Sequence, residues 1–182
     1  MTSSLLFLIG PRGSGKSTLA RLLAARLAWD WIDADAELER RYACSIRDIF
    51  TSEGEAGFRD KESAVLADLC RLRNHVIATG GGVVLRPENR ERLRASGRVV
   101  WLTAEPATLA ARLEADASTV HRRPSLTGAA AASSVQEITD VLTARAPLYR
   151  GCADFVASTE GRSAEVITDD VLSWWNVMGQ MG

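Results

Sequence analysis

Apolar and polar positions along the chain alternate between short strand patterns and longer helical patterns. Leu5–Ile9 is a continuous apolar run ended by Gly10, as expected of a strand buried on both faces of a parallel sheet. Leucines then recur at helical spacing over residues 17–27. The same criteria predict strands ending at 33 and covering 76–79, 98–102 and 155–157, and helices covering 45–50, 56–72, 87–96, 135–146 and 163–175, with one more beginning at 106.

This alternation predicts an α/β fold in which helices cover both faces of a parallel sheet. A chain of 182 residues suits a single domain over 1–182, and with 46% apolar residues it can bury a core without disulfides or metals. Residues 115–134 lack periodicity, so we expect a surface loop there. Glycines at 179 and 182 indicate a loose C-terminal end over about 177–182.

Composition removes several classes of function. The net charge of −1 and the pI of about 6.2 give no basic field for a nucleic-acid backbone, so we expect no nucleic-acid partner. No apolar run reaches the length of a membrane span, and the N-terminal residues predict a strand instead of a signal peptide. Cys44, Cys70 and Cys152 form no C-x-x-C pair, which indicates reduced thiols in a cytoplasmic protein.

The clearest motif is a phosphate-binding loop between the first strand and the first helix. Gly10-Pro-Arg-Gly-Ser-Gly-Lys16-Ser17-Thr18 fits G-x-x-x-x-G-K-[ST], and its strand-to-helix context argues against a chance glycine-rich turn. Glycines let backbone N–H groups converge on phosphate oxygens, Lys16 brings charge to the β- and γ-phosphates, and the Ser17 hydroxyl can bind Mg²⁺. The predicted nucleotide-binding residues of the loop are Gly13, Ser14, Gly15, Lys16, Ser17 and Thr18.

Two further clusters follow predicted strands, where ligands bind in open parallel sheets. Asp33 and Asp35 follow the second strand, and either can hold Mg²⁺ through water, accept a substrate proton, or simply cap a helix. Gly80, Gly81 and Gly82 follow the third strand. They permit close approach of backbone to a ligand, although a flexible turn is the alternative.

Taken together, these motifs resemble those of shikimate kinases. The resemblance covers about residues 5 to 175 and depends on the order and approximate spacing of the whole set, since no element after the phosphate loop is diagnostic alone. Besides the loop, the set comprises Asp33-Ala-Asp35, Phe58-Arg59 with Glu62, the glycine triplet, Arg123-Pro124-x-Leu126 and Arg145-x-Pro-Leu-Tyr149.

The resemblance implies both a fold and a reaction. The fold would be that of P-loop NTPases and nucleoside monophosphate kinases, a three-layer sandwich around a five-stranded parallel sheet, with a mobile lid at about 115–134. The reaction would be ATP-dependent phosphorylation of the shikimate 3-hydroxyl, giving shikimate 3-phosphate and ADP on the pathway to chorismate and aromatic amino acids. Mg²⁺ would be the cofactor, ATP and shikimate the partners, and the chain a monomer.

The resemblance also assigns the acceptor site. Asp35 would bind shikimate hydroxyls and orient or deprotonate the attacking one. Arg59 and Arg145 would hold the substrate carboxylate, which suits the paired hydrogen bonds of guanidinium groups, although either arginine alone looks like a solvated helix residue. Gly80–Gly82 would hydrogen-bond the substrate through their backbone.

On the nucleotide side, the resemblance implies that Ser17 and Asp33 bind Mg²⁺ while Lys16 contacts the phosphates. Arg123 would reach the phosphates from the lid on closure, which also excludes water. Arg112 is a candidate adenine contact, with a surface helix arginine as the alternative.

Three other functions remain to be weighed. A gluconate or nucleoside monophosphate kinase of the same fold would keep the phosphate loop and change the acceptor site, whereas the Arg59 and Arg145 pair favours an acceptor with a carboxylate. A nucleotide-dependent regulatory protein is another class, but the N-K-x-D motif of GTPases is absent from the sequence. An inactive paralogue is not favoured, because no expected catalytic position is lost.

Overall fold

The computed structural model describes residues 4–115 and 135–180, which contain one five-stranded sheet. Its strands are β1 (Leu5–Ile9), β2 (Asp30–Asp33), β3 (His75–Ala78), β4 (Arg98–Thr103) and β5 (Phe155–Ser158). The order across the sheet is β2-β3-β1-β4-β5, and every neighbouring pair is parallel. The predicted five-stranded parallel sheet is confirmed.

Seven α-helices lie among the described residues. They are α1 (Lys16–Leu27), α2 (Ala34–Tyr42), α3 (Ile46–Leu69), α4 (Pro87–Ser96), α5 (Pro106–Ala115), α6 (Val135–Cys152) and α7 (Ala164–Gln180). A short 3-10 turn, Val83–Leu85, lies between β3 and α4. In the described ranges, no helix is both long and apolar enough to cross a membrane.

Alternate residues of β1 belong to two different cores, because successive side chains of a strand point to opposite faces. Leu5, Phe7 and Ile9 pack in a core with residues of α2, α3, α4 and α6. Leu6 and Leu8 pack in a second core with residues of α1 and α7. All five residues are at most 2% exposed, and helices on both faces of the sheet give the predicted three-layer sandwich.

The strand order brings three loops together at one edge of the sheet. β1 lies between β3 and β4, with Leu8 opposite Ala78 and Ile9 opposite Trp101. The loops that follow these three strands therefore begin side by side at the carboxyl edge, where open parallel sheets bind ligands. Thr79 strengthens this junction, because both its backbone N–H and its hydroxyl donate to Leu8 O, at 3.1 and 3.0 Å.

Two helices are longer than predicted. α6 was expected to end at residue 146, but it continues through Pro147, which has no N–H to donate, and ends at Cys152. Tyr149 and Cys152 lie beyond the proline and are buried in the core, so packing holds the last turns helical. α7 likewise extends to Gln180, so residues 177–180 are helical, whereas a loose end was expected there.

α3 contains the two helices predicted at 45–50 and 56–72, joined across a kink. Ser45 caps its start as predicted, with its hydroxyl accepting from Asp48 N at 3.1 Å. Gly54 interrupts the helix at φ 70° and ψ −173°, and the helix ends at Leu69. The kink separates the N-terminal turns from the part that carries Phe58, Arg59 and Glu62.

Replacing Gly54 by alanine should destabilise the fold by about 1–3 kcal/mol, because its backbone conformation is accessible almost only to glycine. Gly151→Ala within α6 is the matched control and should stabilise the fold by roughly 0.5 kcal/mol, since alanine favours helix. A new Cβ has no heavy atom within 4 Å at either position, so the comparison isolates backbone conformation. Urea unfolding of both variants measures the difference, and equal effects would contradict a glycine requirement at the kink.

Candidate active site

The phosphate-binding loop joins β1 to α1 and takes a shape that favours glycine at three points, because Gly10, Gly13 and Gly15 all have positive φ. Gly10 has φ 140°, and a Cβ there would lie 2.4 Å from Leu102 O. Gly15 has φ 88° and forms the N-cap of α1 with no side-chain hydrogen bond to the helix. The first N–H groups of α1 are therefore not capped by a side chain, as an anion site at a helix N-terminus requires.

Side chains of the loop divide between internal support and the cavity. The Ser14 side chain is buried and its hydroxyl donates to Pro11 O at 2.8 Å, so this side chain holds the loop together. Lys16 Nζ donates to Gly10 O at 2.9 Å and to Pro11 O at 2.7 Å. The loop borders a cavity of about 720 Å³, whose lining includes Gly13, Gly15, Lys16, Ser17 and Thr18.

Asp33 serves two purposes through its two carboxylate oxygens. Oδ1 accepts from the N–H groups of Asp35 and Ala36, at 3.0 and 3.3 Å, and so caps α2. Oδ2 accepts from the Ser17 hydroxyl at 2.6 Å. Of the alternatives that the sequence left open for Asp33, the helix cap is therefore present, and the same carboxylate also contacts Ser17.

The Ser17 and Asp33 pair suits a magnesium ion. Carboxylate and hydroxyl oxygens are hard ligands of the kind that Mg²⁺ prefers, and one or two protein ligands suffice when substrate phosphates supply others. The described residues contain no group of three or more His, Cys, Asp or Glu side chains that could enclose an ion.

The glycine triplet lies where charged side chains reach the backbone. A Cβ at Gly80 would lie 2.8 Å from Asp35 Oδ1 and 2.9 Å from Glu62 Oε1. A Cβ at Gly82 would lie 2.2 Å from Arg59 Nη1. Space for these side chains therefore explains the glycines at 80 and 82 better than a need for flexibility.

Both arginines assigned to the acceptor lie beside this triplet. Arg59 is 13% exposed and donates to Glu62 Oε2 at 2.8 Å and to Glu55 Oε1 at 3.2 Å. Arg145, on α6, donates to Gly81 O at 3.3 Å. The structure therefore brings together the residues that the sequence proposed for the acceptor: Asp35, Arg59, Gly80, Gly81, Gly82 and Arg145.

Arg112 lines the same cavity and contacts the phosphate-binding loop. Its guanidinium donates to Thr159 Oγ1 at 2.9 Å, to Thr159 O at 2.8 Å and to Gly13 O at 3.3 Å. It is therefore held between the phosphate-binding loop and the end of β5, and is no free surface arginine. Thr159 and Arg162 line the same cavity but were not predicted, and their place directly after β5 is the only signal that the sequence offers for them.

Tyr149 belongs to the Arg145-x-Pro-Leu-Tyr149 motif, but the sequence predicted no function for it. Its hydroxyl donates a hydrogen bond to Gly81 O, and its spacing of four residues from Arg145 places both on one face of α6. Burial raises the pKa of Tyr149 to about 12, even though the Arg145 charge acts in the opposite direction. Arg123 and nearly all of the predicted lid lie outside the described residues; α5 ends at Ala115 and α6 begins at Val135.

Residues 12–176 match the family model described as shikimate kinase. A shikimate kinase of Rhodopirellula baltica is 47% identical over 167 residues, which span 92% of this chain and 88% of the relative. One of Pseudomonas syringae pv. tomato is 44% identical over 168 residues, which span 92% of this chain and 94% of that one. The solved structure of shikimate kinase from Acinetobacter baumannii in complex with shikimate has a TM-score of 0.86 at 35% identity and covers 95% of this chain and 93% of that chain.

The raised pKa of Tyr149 predicts a loss of stability in alkali. Because the folded state resists ionisation of this phenol, stability is complete below the ordinary tyrosine pKa of about 10 and falls as pH rises towards 12. Between pH 9 and pH 11 the loss of unfolding free energy from this group should be about 1 kcal/mol. Urea unfolding at both pH values should show a smaller loss in Tyr149→Phe than in the unchanged chain and in Tyr42→Phe. Part of the loss remains in all three, because burial also raises the pKa of Cys152, to about 11. Equal losses in all three would contradict the assignment to Tyr149.

Proposed function

The chain belongs to the shikimate kinase family and is therefore a phosphotransferase, and we propose that it transfers the γ-phosphoryl group of ATP to the 3-hydroxyl of shikimate. The observation that carries this proposal is the position of Gly81 between the two halves of the site. A Cβ at Gly81 would lie 3.4 Å from Gly10 O of the phosphate-binding loop, while Gly81 O accepts from Arg145. An acceptor bound at Arg145 and the triplet would then lie next to phosphates held by the loop.

On the nucleotide side, the loop N–H groups and Lys16 hold the phosphates. Lys16 is already directed to the loop, through Gly10 O and Pro11 O, so its charge is available where the β- and γ-phosphates bind. Ser17 and Asp33 would hold Mg²⁺, which when bound supplies charge neutralisation at the phosphate oxygens. Arg112, with Thr159 and Arg162 beside it in the cavity, contacts the base.

On the acceptor side, Arg59 and Arg145 hold the carboxylate of shikimate, and the triplet N–H groups and Asp35 hold its hydroxyls. Glu62 and Glu55 hold the guanidinium of Arg59 in place before the substrate arrives, which reduces the ordering that binding requires. The combination of two guanidinium groups with a carboxylate favours an acceptor that carries both an acid group and hydroxyls.

The chemical step follows from this arrangement. The 3-hydroxyl oxygen forms a bond to the γ-phosphorus as the bond from that phosphorus to the β,γ-bridging oxygen breaks, and ADP leaves with the electron pair. Asp35 orients the hydroxyl and accepts its proton. Lys16 neutralises charge on the transferring group, and Arg123 joins it from the lid, where its guanidinium also helps exclude water.

We further propose that the enzyme is a cytoplasmic monomer. Cys44, Cys70 and Cys152 are all free thiols, as expected in a reducing compartment. The acceptor residues and the phosphate-binding loop come from a single chain, so catalysis needs no second subunit. Light scattering after size-exclusion chromatography tests the monomer.

The proposed reaction is tested by following ADP release with a panel of acceptors. Shikimate should support turnover with Mg²⁺ and ATP, and gluconate and nucleoside monophosphates should not. Lys16→Ala should remain folded, because the side chain is partly exposed, and should lose nearly all turnover, since it removes the charge from the phosphates. Turnover with gluconate alone, or a fully active Lys16→Ala, would refute the proposal.

Arg59→Ala and Arg145→Ala should each weaken acceptor binding more than ATP binding. Loss of a charge-assisted hydrogen bond costs about 1.5–3 kcal/mol, or roughly tenfold or more in affinity. Gly82→Ala should have a similar effect, because its Cβ would displace the Arg59 guanidinium. Isothermal titration with shikimate and with ATP separates the two sites; equal losses for both ligands would contradict the carboxylate clamp, and Arg71→Ala, at an exposed surface pair, is the control.

A further inference from the structure

Tyr149 is buried beneath the acceptor site and makes a directed contact with it. The side chain is among the largest fully buried ones, with 1% of the residue exposed. Its ring stacks on Trp101 of β4, with centroids 5.6 Å apart and planes 21° apart. On the far end of the ring, the hydroxyl donates to Gly81 O. Packing therefore fixes the ring, and the ring fixes where the hydroxyl lies.

The carbonyl that Tyr149 contacts belongs to the peptide between Gly81 and Gly82. The described residues contain no cis peptide bond, and in a trans peptide the N–H points away from the C=O. Holding Gly81 O towards Tyr149 therefore directs the Gly82 N–H to the opposite side of that peptide. Within residues 4–115 and 135–180, this N–H donates to no protein group, and Gly82 lies against the Arg59 guanidinium.

Glycine gives this peptide little rotational restraint of its own, so its orientation depends on contacts. Arg145 also donates to Gly81 O, but at 3.3 Å and with a guanidinium that the substrate carboxylate would engage. Tyr149 is the contact to Gly81 O that stays in place when Arg145 turns to the substrate. Its phenol keeps its proton at neutral pH, because burial raises the pKa of Tyr149 to about 12.

We infer that Tyr149 is a positioning residue for the acceptor, whose hydroxyl fixes the Gly81–Gly82 peptide so that the Gly82 N–H and Arg145 face the substrate together. This inference rests on the proposed function, because it assumes that the triplet and Arg145 bind shikimate. It assigns the hydroxyl a role in substrate binding, beyond the hydrogen-bond partner that any buried tyrosine needs. If Tyr149 were purely structural, its substitution would lower folding stability and would not affect shikimate binding more than ATP binding.

The test is Tyr149→Phe, which removes one oxygen atom and keeps the ring stacked on Trp101. The KM for shikimate should rise about five- to tenfold, the loss expected for one hydrogen bond, while the KM for ATP changes by less than about twofold. Tyr42→Phe, the other tyrosine of the chain, is the control and should leave both constants unchanged. Circular dichroism establishes that both variants are folded.

A second measurement separates positioning from general loosening. Tyr149 and Arg145 share Gly81 O as acceptor, so Tyr149→Phe and Arg145→Lys should be non-additive in shikimate affinity. Unchanged KM for shikimate in folded Tyr149→Phe, equal rises for both substrates, or strict additivity with Arg145→Lys would overturn the inference. The unchanged chain is assayed alongside the variants. If it phosphorylates shikimate and Tyr149→Phe leaves the KM for shikimate unchanged, this inference is refuted while the proposed function stands.

Discussion

Close contact with bare backbone is the constraint on which the acceptor half of the site depends. At Gly80, Gly81 and Gly82 the neighbours are, in turn, two carboxylates, the phosphate-binding loop and a guanidinium, at distances where a Cβ would overlap at the first and third positions. Asp35, Glu62 and Arg59 come from α2 and α3, and only the absence of side chains on the triplet lets them converge. Any larger residue at 80 or 82 would push apart the groups that the substrate needs to find together.

The sheet makes this convergence possible by placing β1 beside β3. The phosphate-binding loop and the triplet follow these two strands directly, and the bonds from Thr79 to Leu8 O continue the pairing to the point where the loops begin. β1 is buried on both faces, so its position is fixed by two cores at once. A site assembled at the ends of such strands inherits their rigidity, which suits phosphoryl transfer because that reaction depends on positioning and charge.

Local signals in the sequence were sufficient to predict the phosphate-binding loop and several helix starts. The phosphate-binding loop, the Ser45 cap and the helix starts at Pro87 and Pro106 each depend on residues close in sequence, and all were predicted. Errors arose where tertiary packing outweighed a local rule, as in α6, which continues through Pro147. Thr159 and the purpose of Tyr149 depend on partners 47 and 68 residues away, which no local pattern reveals.

Asp33 combines two functions in one side chain, a structural one as a helix cap and a proposed one in binding Mg²⁺. The same carboxylate caps α2 and faces Ser17, and α2 is the helix that carries Asp35. A gene copy released from selection for phosphoryl transfer would still be selected at this position for a sound helix start, because loss of a cap destabilises the helix. An aspartate at this position is therefore weak evidence that a diverged relative is still an active enzyme. Lys16 and Arg59 are better indicators of activity, because their side chains cap no helix.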